Sequence, residues 1–461
     1  MSMKKGKQRK PSDLFVPTHR LPKSPGHPFY EKLNEVLGKE DFDEFVEGLC
    51  EAFYAERQGR PSIPPGVYFR MLMIGYFEGL DSERSIAWRV ADSLTLREFL
   101  GYDLDEKTPD HSSLSRIRQR LPLEVHEKVF DWVLGVLAKA GLIHGKTVGV
   151  DATTLEANAA MRSIVRRDTE ESYPGYLERL AKESRIENPT REDRAKLDRK
   201  RPNKVSNKDW EHPHDPDAGI TKMKDGRTHL AHKAEHAVDL KTNAIVAVTL
   251  SPGEEGDTDS LCWTLLEAQT NLERLAEDED VARKIHPKPV SEVVADKGYH
   301  SNDVLVNLIL SNIRSYISEP DRGRRKWKGK QEEQVAVYAN RRRIKGARGQ
   351  GLRKDRAEQV EPSFNHAYDT GGMRRLHLRD RGNILKRLVI HIGACNLGLL
   401  MRTFFGVGTP KAMHDLGSAL ICMFVKTKHL LIHLFTSFTK RSRTNFENVA
   451  QQPFKPDENR Q

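Results

Sequence analysis

Two stretches of this chain end a β-rich run on an aspartate, and they limit the possible fold more than any other feature. In Glu292–His300, EVVADKGYH, the apolar run Val293, Val294, Ala295 is followed at once by Asp296, and Lys297-Gly298 then breaks the run as a turn does. This order places a carboxylate at the carboxyl end of a buried strand, where open α/β sheets hold their ligands. Lys146–Asp151, KTVGVD, has the same design: a β-rich run ends on Asp151 and continues into the polar Ala152-Thr153-Thr154. One acid cannot build a site for a hard metal. Two such strands lying side by side and parallel bring both carboxylates to one edge, which is what divalent-cation chemistry needs.

Composition narrows the partners. The 461 residues suffice for two or three domains with ample core. Lys+Arg 76 against Asp+Glu 66 gives a formal charge of +10, a moderate excess that favours a polyanionic partner such as nucleic acid. Cys50, Cys262, Cys395 and Cys422 are far apart, with no CxxC or Cys/His pairing. They read as buried thiols of a reducing cytosol rather than as disulfides or a zinc ribbon. The basic opening runs into Pro11-Ser12-Asp13 instead of an apolar core, so no secretory signal is expected. Ala419–Phe438 is apolar but interrupted by Lys426, Lys428, His429 and His433, which argues for a packed or amphipathic helix over a membrane span. A cytoplasmic location follows.

Taken in order, the chain opens on a basic, Pro-rich arm over residues 1–26 that is expected to be disordered, either solvated or touching DNA phosphate. Residues 27–141 read as a helical N-terminal module. Phe29–Phe53 gives two helices, Val67–Leu80 an apolar one, Ser82–Ala91 and Leu94–Leu100 two more. A Pro- and Asp-started helix follows at Thr108–Leu121, carrying Arg116, Arg118 and Arg120; Leu123–Ala140 is the last. Short capped helices followed by one rich in arginine suit a helix-turn-helix that contacts DNA; a helical bundle with solvated arginines is the plainer alternative.

After the strand ending at Asp151, residues 161–225 are dominated by charge and prolines and read as an insertion with helical pieces at Tyr176–Lys182 and Arg191–Lys200, forming a mobile or DNA-facing surface. Thr228–Leu250 reads as two antiparallel strands joined by Lys241-Thr242-Asn243. Alternation puts His232 and His236 on the face opposite His229, which speaks against zinc, and Asp239 is explained by the neighbouring turn. A helix from Gly256 to about Ala276, the strand ending at Asp296, a helix over Ser301–Leu310 and a strand at Arg314–Ser318 complete this part.

The segment over about 319–356 is the most basic in the chain. It holds Arg324, Arg325, Lys326, Arg341, Arg342, Arg343 and Arg356, with Trp327 and Tyr338 interleaved, and is expected to face phosphates, a solvated loop being the alternative. From Arg356 the chain turns helical. Val360, Phe364 and Ala367 share one face, and Glu361 stands at its polar border, where it can look across the strand ends. Asn383–Phe405 is a long apolar helix that covers the sheet.

The resulting order is a strand with Asp151, two antiparallel strands, a helix, a strand with Asp296, a helix, a strand, a basic section, and a helix with Glu361. It is the connectivity of a ribonuclease H-like fold: α/β, a mixed five-stranded sheet flanked by helices, here preceded by an all-α domain. The chain resembles the DDE transposases of bacterial insertion sequences with a helical module ahead of the catalytic domain. The likeness covers about Phe29 to Arg402 and is carried by IPPGVYFRMLMIGYFEGLDSERSIAWRV, TPDHSSLSRIRQRL, VGVDATTLEANAA, KMKDGRTHLAHKAEHAVDL, GDTDS, VVADKGYHS and RAEQVEPSFNHAYDTGGMRRLHLRDRGN, followed by CNLGLL. Matched residue by residue, the family's three catalytic carboxylates fall on Asp151, Asp296 and Glu361.

The resemblance implies a catalytic domain over 142–406, a C-terminal helix and polar tail over 407–461, and two Mg²⁺ ions about 4 Å apart on the three acids, with Mn²⁺ as a substitute. One metal activates water and later the DNA 3′-hydroxyl; the other stabilises the leaving oxygen. It further implies double-stranded DNA as partner, both the element's terminal inverted repeats and the target, with a homodimer or larger assembly on the nucleoid. One departure stands out. Related transposases often carry a Tyr and an Arg before the Glu and a Lys after it; Arg356 matches the Arg, but Arg353 stands near the Tyr position and Tyr368 at the Lys position. Arg356, Arg374 and Arg375 are then the candidates for gripping the terminal phosphates. A ribonuclease H-like nuclease that cuts without strand transfer, and an inactive DNA-binding remnant, are the alternatives.

Overall fold

The computed structural model describes residues 27–413 except 56–61, 201–204, 224, 225, 322 and 324. The basic arm, Arg324, Ala419–Phe438 and the tail from Arg441 lie outside the described residues. Seven described helices precede the first long strand: α1 (Pro28–Lys39), α2 (Phe42–Cys50), α3 (Pro65–Phe77), α4 (Glu83–Asp92), α5 (Leu94–Phe99), α6 (His111–Arg120) and α7 (Leu123–Lys139). Their starts follow from capping chemistry: Ser82 Oγ accepts from Ser85 N at 3.1 Å and Asp110 Oδ1 from Ser113 N at 2.8 Å, satisfying amides that the first turn leaves unpaired. Helix α3 is apolar on nearly every side and is buried accordingly, at the centre of the helical region.

The sheet is built from β1 (Thr147–Glu156), β4 (Gly219–Lys222), β5 (Thr228–Asp239), β6 (Ile245–Pro252), β7 (Glu292–Ala295) and β8 (Arg314–Ile317); β2 (Val165–Arg166) and β3 (Trp210–Glu211) form a separate ribbon in the insertion. β5 pairs antiparallel with β1 on one edge and with β6 and β4 on the other, while β1, β7 and β8 run parallel. This is a mixed α/β, ribonuclease H-like arrangement with six strands rather than the five expected: the short β4 extends the outer edge of β5. The remaining helices are α8 (Tyr173–Glu183), α9 (Arg191–Lys200), α10 (Asp257–Leu275), α11 (Glu279–Ala282), α12 (Asn302–Leu310), α13 (Gln331–Lys345), α14 (Ala347–Phe364) and α15 (Arg381–Phe405).

Two further expectations need correction. The basic section is not a loop that turns helical at Arg356; α13 and α14 form a helical hairpin bent at Gly346. Charge hid these helices, because few of their residues are apolar and buried. The insertion also has a small core of its own, in which Ala157, Ile164, Trp210, Ala218 and Leu230 are buried together.

Helix α15 ties the molecule together. It packs on α3 and α7 and also on β6, and the larger of the two hydrophobic cores runs from Phe29 to Val407. It is long and apolar enough to cross a bilayer, yet most of it is buried inside the protein. Polar side chains finish the sheet edges. Asn396 on α15 bonds both the N–H (3.0 Å) and the C=O (2.8 Å) of Ile245 in β6, and Asn340 on α13 does the same for Ile317 in β8. Each asparagine stands in for a missing neighbour strand and blocks edge pairing.

Candidate active site

The parallel register of β1 and β7 pairs Thr147 with Glu292, Val148 with Val293 and Gly149 with Val294. Continued by two residues, it sets Asp151 level with Asp296, which stands just past the end of β7; β1 does not end at Asp151, as its sequence suggests, but runs on to Glu156 because β5 keeps pairing with it beyond the point where β7 stops. Gly149, Asp151, Val294 and Asp296 share one sheet face by period-two alternation. Helix α14 crosses that face: a Cβ on Gly149 would come within 2.7 Å of a Val360 methyl and 2.6 Å of Leu240, so only a glycine lets α14 approach this closely. Its start is fixed by Arg348, which donates to Glu292 at the base of β7.

The same helix brings Arg356 over the acids. Arg356 Nη1 lies 2.8 Å from Asp151 Oδ2, and the Ala152 N–H donates to Asp151 Oδ1 at 2.9 Å. Burial, with the charge of Asp296 behind it, still holds the Asp151 carboxyl above the usual range, against the pull of Arg356 and of that amide. Asp296 Oδ1 accepts from Gly298 N at 2.7 Å and so caps its own turn.

Glu361 is not drawn into this pair. It is exposed, one residue past the buried Val360, and makes no hydrogen bond or ion pair among the described residues. Among those residues, no three His, Cys, Asp or Glu side chains gather closely enough to hold an ion. The Asp151 and Asp296 oxygens are hard donors set level on neighbouring parallel strands and fit a divalent cation such as Mg²⁺ or Mn²⁺; the third acid is not in place beside them.

The other expected site residues divide by surroundings. Arg116, Arg120, Lys326, Arg342 and Arg375 are exposed, although Arg120 lies over the Tyr54 ring and Arg375 faces Glu156 at 3.9 Å. Arg118 turns inward instead, paired with Glu83 at 2.8 Å with both side chains nearly buried. Arg341 forks onto Glu319 with two 2.8 Å bonds, Arg325 joins the same carboxylate and lies over Trp327, and Arg343 bonds Ser315. Arg374 holds Asp369 with both ends of its fork and reaches Thr153 Oγ1 at 2.9 Å, two residues beyond Asp151. Tyr368, at the family's Lys position, is buried and donates to His236 Nε2 at 2.7 Å. His232 pairs with Asp215 in the core, and Asp239 accepts from the amides of His144, Gly145 and Lys241 and so fastens the turn.

Reading the sequence missed Lys233 and Asp257, both close to the Asp296 turn. Their signal was there: a lysine inside a strand whose neighbours are buried.

Residues 18–120 match the family model described as a transposase domain, DUF772. The match ends with the last residue of α6, and it supports a transposase. No curated protein matches the chain.

Proposed function

We propose that this protein is a transposase of an insertion sequence that binds the element's terminal inverted repeats, cuts DNA at the element ends and joins them to a target. The observation that carries the chemistry is the level placement of Asp151, within β1, and Asp296, just past the end of the neighbouring parallel strand β7; the transposase-domain match supports the substrate class and DNA as partner.

In this reading Asp151 and Asp296 hold divalent metal and Glu361 is the third acid. Bound Mg²⁺, or Mn²⁺ in its place, supplies Lewis-acid stabilisation of phosphorane charge and acidifies a bound nucleophile. The chain's own residues do the rest. Arg356 offsets carboxylate charge at Asp151 and keeps that side chain in one orientation. Arg374, locked by Asp369 and placed beside Thr153, is positioned to take a phosphate near the acids, in the neighbourhood where relatives use a lysine. Arg116, Arg120, Lys326, Arg342 and Arg375 add exposed charge for backbone phosphates, a term that carries affinity without sequence preference. Joining two element ends calls for at least a dimer on DNA.

Product analysis tests the reading. A labelled element end incubated with target DNA and Mg²⁺ should yield a joined strand product; free cut ends alone indicate a nuclease, and bound but uncut DNA indicates an inactive remnant.

A further inference from the structure

Behind the aspartate pair lies a polar group that the proposed chemistry does not use. Lys233, on β5 opposite Thr154 of β1, is buried. Its Nζ lies 2.7 Å from Asp257 Oδ1 and donates to Ser260 Oγ at 2.9 Å and to Glu255 O at 3.2 Å. A buried ammonium is tolerated only when its donors are met and its charge is paired, and here all three donors have partners. The lysine therefore ties the start of α10 to the sheet.

The other oxygen of Asp257 faces the turn that carries Asp296. A Cβ on Gly298 would lie 2.5 Å from Asp257 Oδ2 and 3.0 Å from Asp296 Oδ1, so both carboxylates close on the same glycine. Tyr299, the next residue, donates to the buried Glu235 at 2.7 Å, and Ser260 donates to the same Glu235 oxygen at 2.9 Å. The Asp296 turn thus rests on groups that Lys233 organises.

We propose that Lys233 and Asp257 are a positioning pair for Asp296: the buried ammonium fixes Asp257 against the Asp296–Gly298 turn, and Asp257 sets the Asp296 carboxylate toward Asp151. The inference rests on the reading of Asp151 and Asp296 as metal-holding acids. Neither member of the pair touches metal or DNA in this role; both act through Asp296.

Calorimetric titration of the full chain with Mn²⁺, together with the Mg²⁺ concentration that gives half-maximal DNA cleavage, tests it. Asp257→Asn, whose side chain is partly exposed and keeps an oxygen for Lys233, should fold with a lowered melting temperature and, while still folded at the assay temperature, bind Mn²⁺ about tenfold or more weakly, the size of effect usual for partners that orient metal ligands. Lys233→Met decides between positioning and plain electrostatics. Removing a positive charge near an acid pair strengthens cation binding if charge is all that matters; positioning predicts weaker binding, partly restored in Lys233→Arg. A folded Asp257→Asn that binds Mn²⁺ like the wild type, or a Lys233→Met that binds it more tightly, overturns the pair's role. If wild type and Asp296→Asn titrate alike, the metal reading itself fails and the pair's role goes with it; a difference between those two alongside a wild-type-like Asp257→Asn refutes only the positioning.

Discussion

The guanidinium of Arg356 stands 2.8 Å from Asp151, a residue 205 positions away in the chain, and is the ion-pair partner of that carboxylate in this structure. An arginine that the sequence suggests for phosphate contact is thereby held on the acid in the middle of β1. Two like charges set level on neighbouring strands need such a counter-charge. Arg356→Met should therefore melt at a lower temperature than the wild type in EDTA and gain more on adding Mg²⁺, because the cation then supplies the missing positive charge. Thermal melts of both proteins with and without metal check this; an equal gain in the two would count against it.

Arg118 and Arg116 lie two residues apart on α6 and should respond differently to removal. Arg118→Ala leaves Glu83 without its partner in a nearly buried site, which costs about 3–5 kcal/mol. Arg116→Ala, on the exposed face, should change stability by less than about 0.5 kcal/mol. If α6 contacts DNA, the Arg116 variant instead weakens binding and flattens its salt dependence. Urea unfolding and a binding series across salt concentrations separate the two effects.

Gly149→Ala would drive a methyl group into Val360 and Leu240. Overpacking of this kind costs about 1–3 kcal/mol, and here it also lifts α14, and Arg356 with it, from Asp151. Loss of stability in urea unfolding should therefore be accompanied by loss of cleavage. Full activity in a destabilised protein would show that the contact serves packing alone.

His126 makes acid unfolding predictable. Burial lowers its pKa to about 4, with help from Lys386 and Arg118, while its bond to the Pro122 carbonyl opposes the shift. Its Nδ1–H donates to Pro122 O, so Nε2 accepts from Tyr68 at 3.0 Å. The unfolded chain binds a proton near 6.5 that the folded chain refuses, so stability falls as pH drops from about 6.5 toward about 4, by on the order of 3 kcal/mol. His126→Asn should lose less stability than the wild type between pH 7 and pH 5; His236 and His391, held near 3 by burial, keep part of the slope, and His144, His212 and His366, also lowered by burial, add to it.

The strands and most helices were legible because hydrophobic period, turn residues and caps act locally. VVADKG and TVGVD announce a buried run ended by an acid; β7 forms where its pattern places it, while β1 starts as expected but runs five residues past Asp151 to Glu156, because β5 pairs with it there. Ser82 and Asp110 start α4 and α6 as capping chemistry requires. What escaped depends on partners distant in sequence. Arg118 looks like a DNA contact until Glu83 is found beside it, and Lys233 looks like one more strand residue until Asp257 and Ser260 close over it. Helix α13 was hidden by its charge, since only Ala336, Val337 and Asn340 are buried along it. Glu361 sits at the polar border of α14 as its spacing predicts, yet periodicity could not say how far that border stands from the two aspartates.

On the proposed function, Asp151 and Asp296 cut DNA with metal. The most direct test is cleavage of a labelled duplex carrying the sequence that flanks the reading frame, in Mg²⁺ or EDTA, by wild type and by Asp296→Asn. Nicking at the element end should need Mg²⁺ and disappear in the variant, while both proteins bind the duplex with similar affinity. Equal cleavage by the two proteins, or cleavage that persists in EDTA, would contradict it.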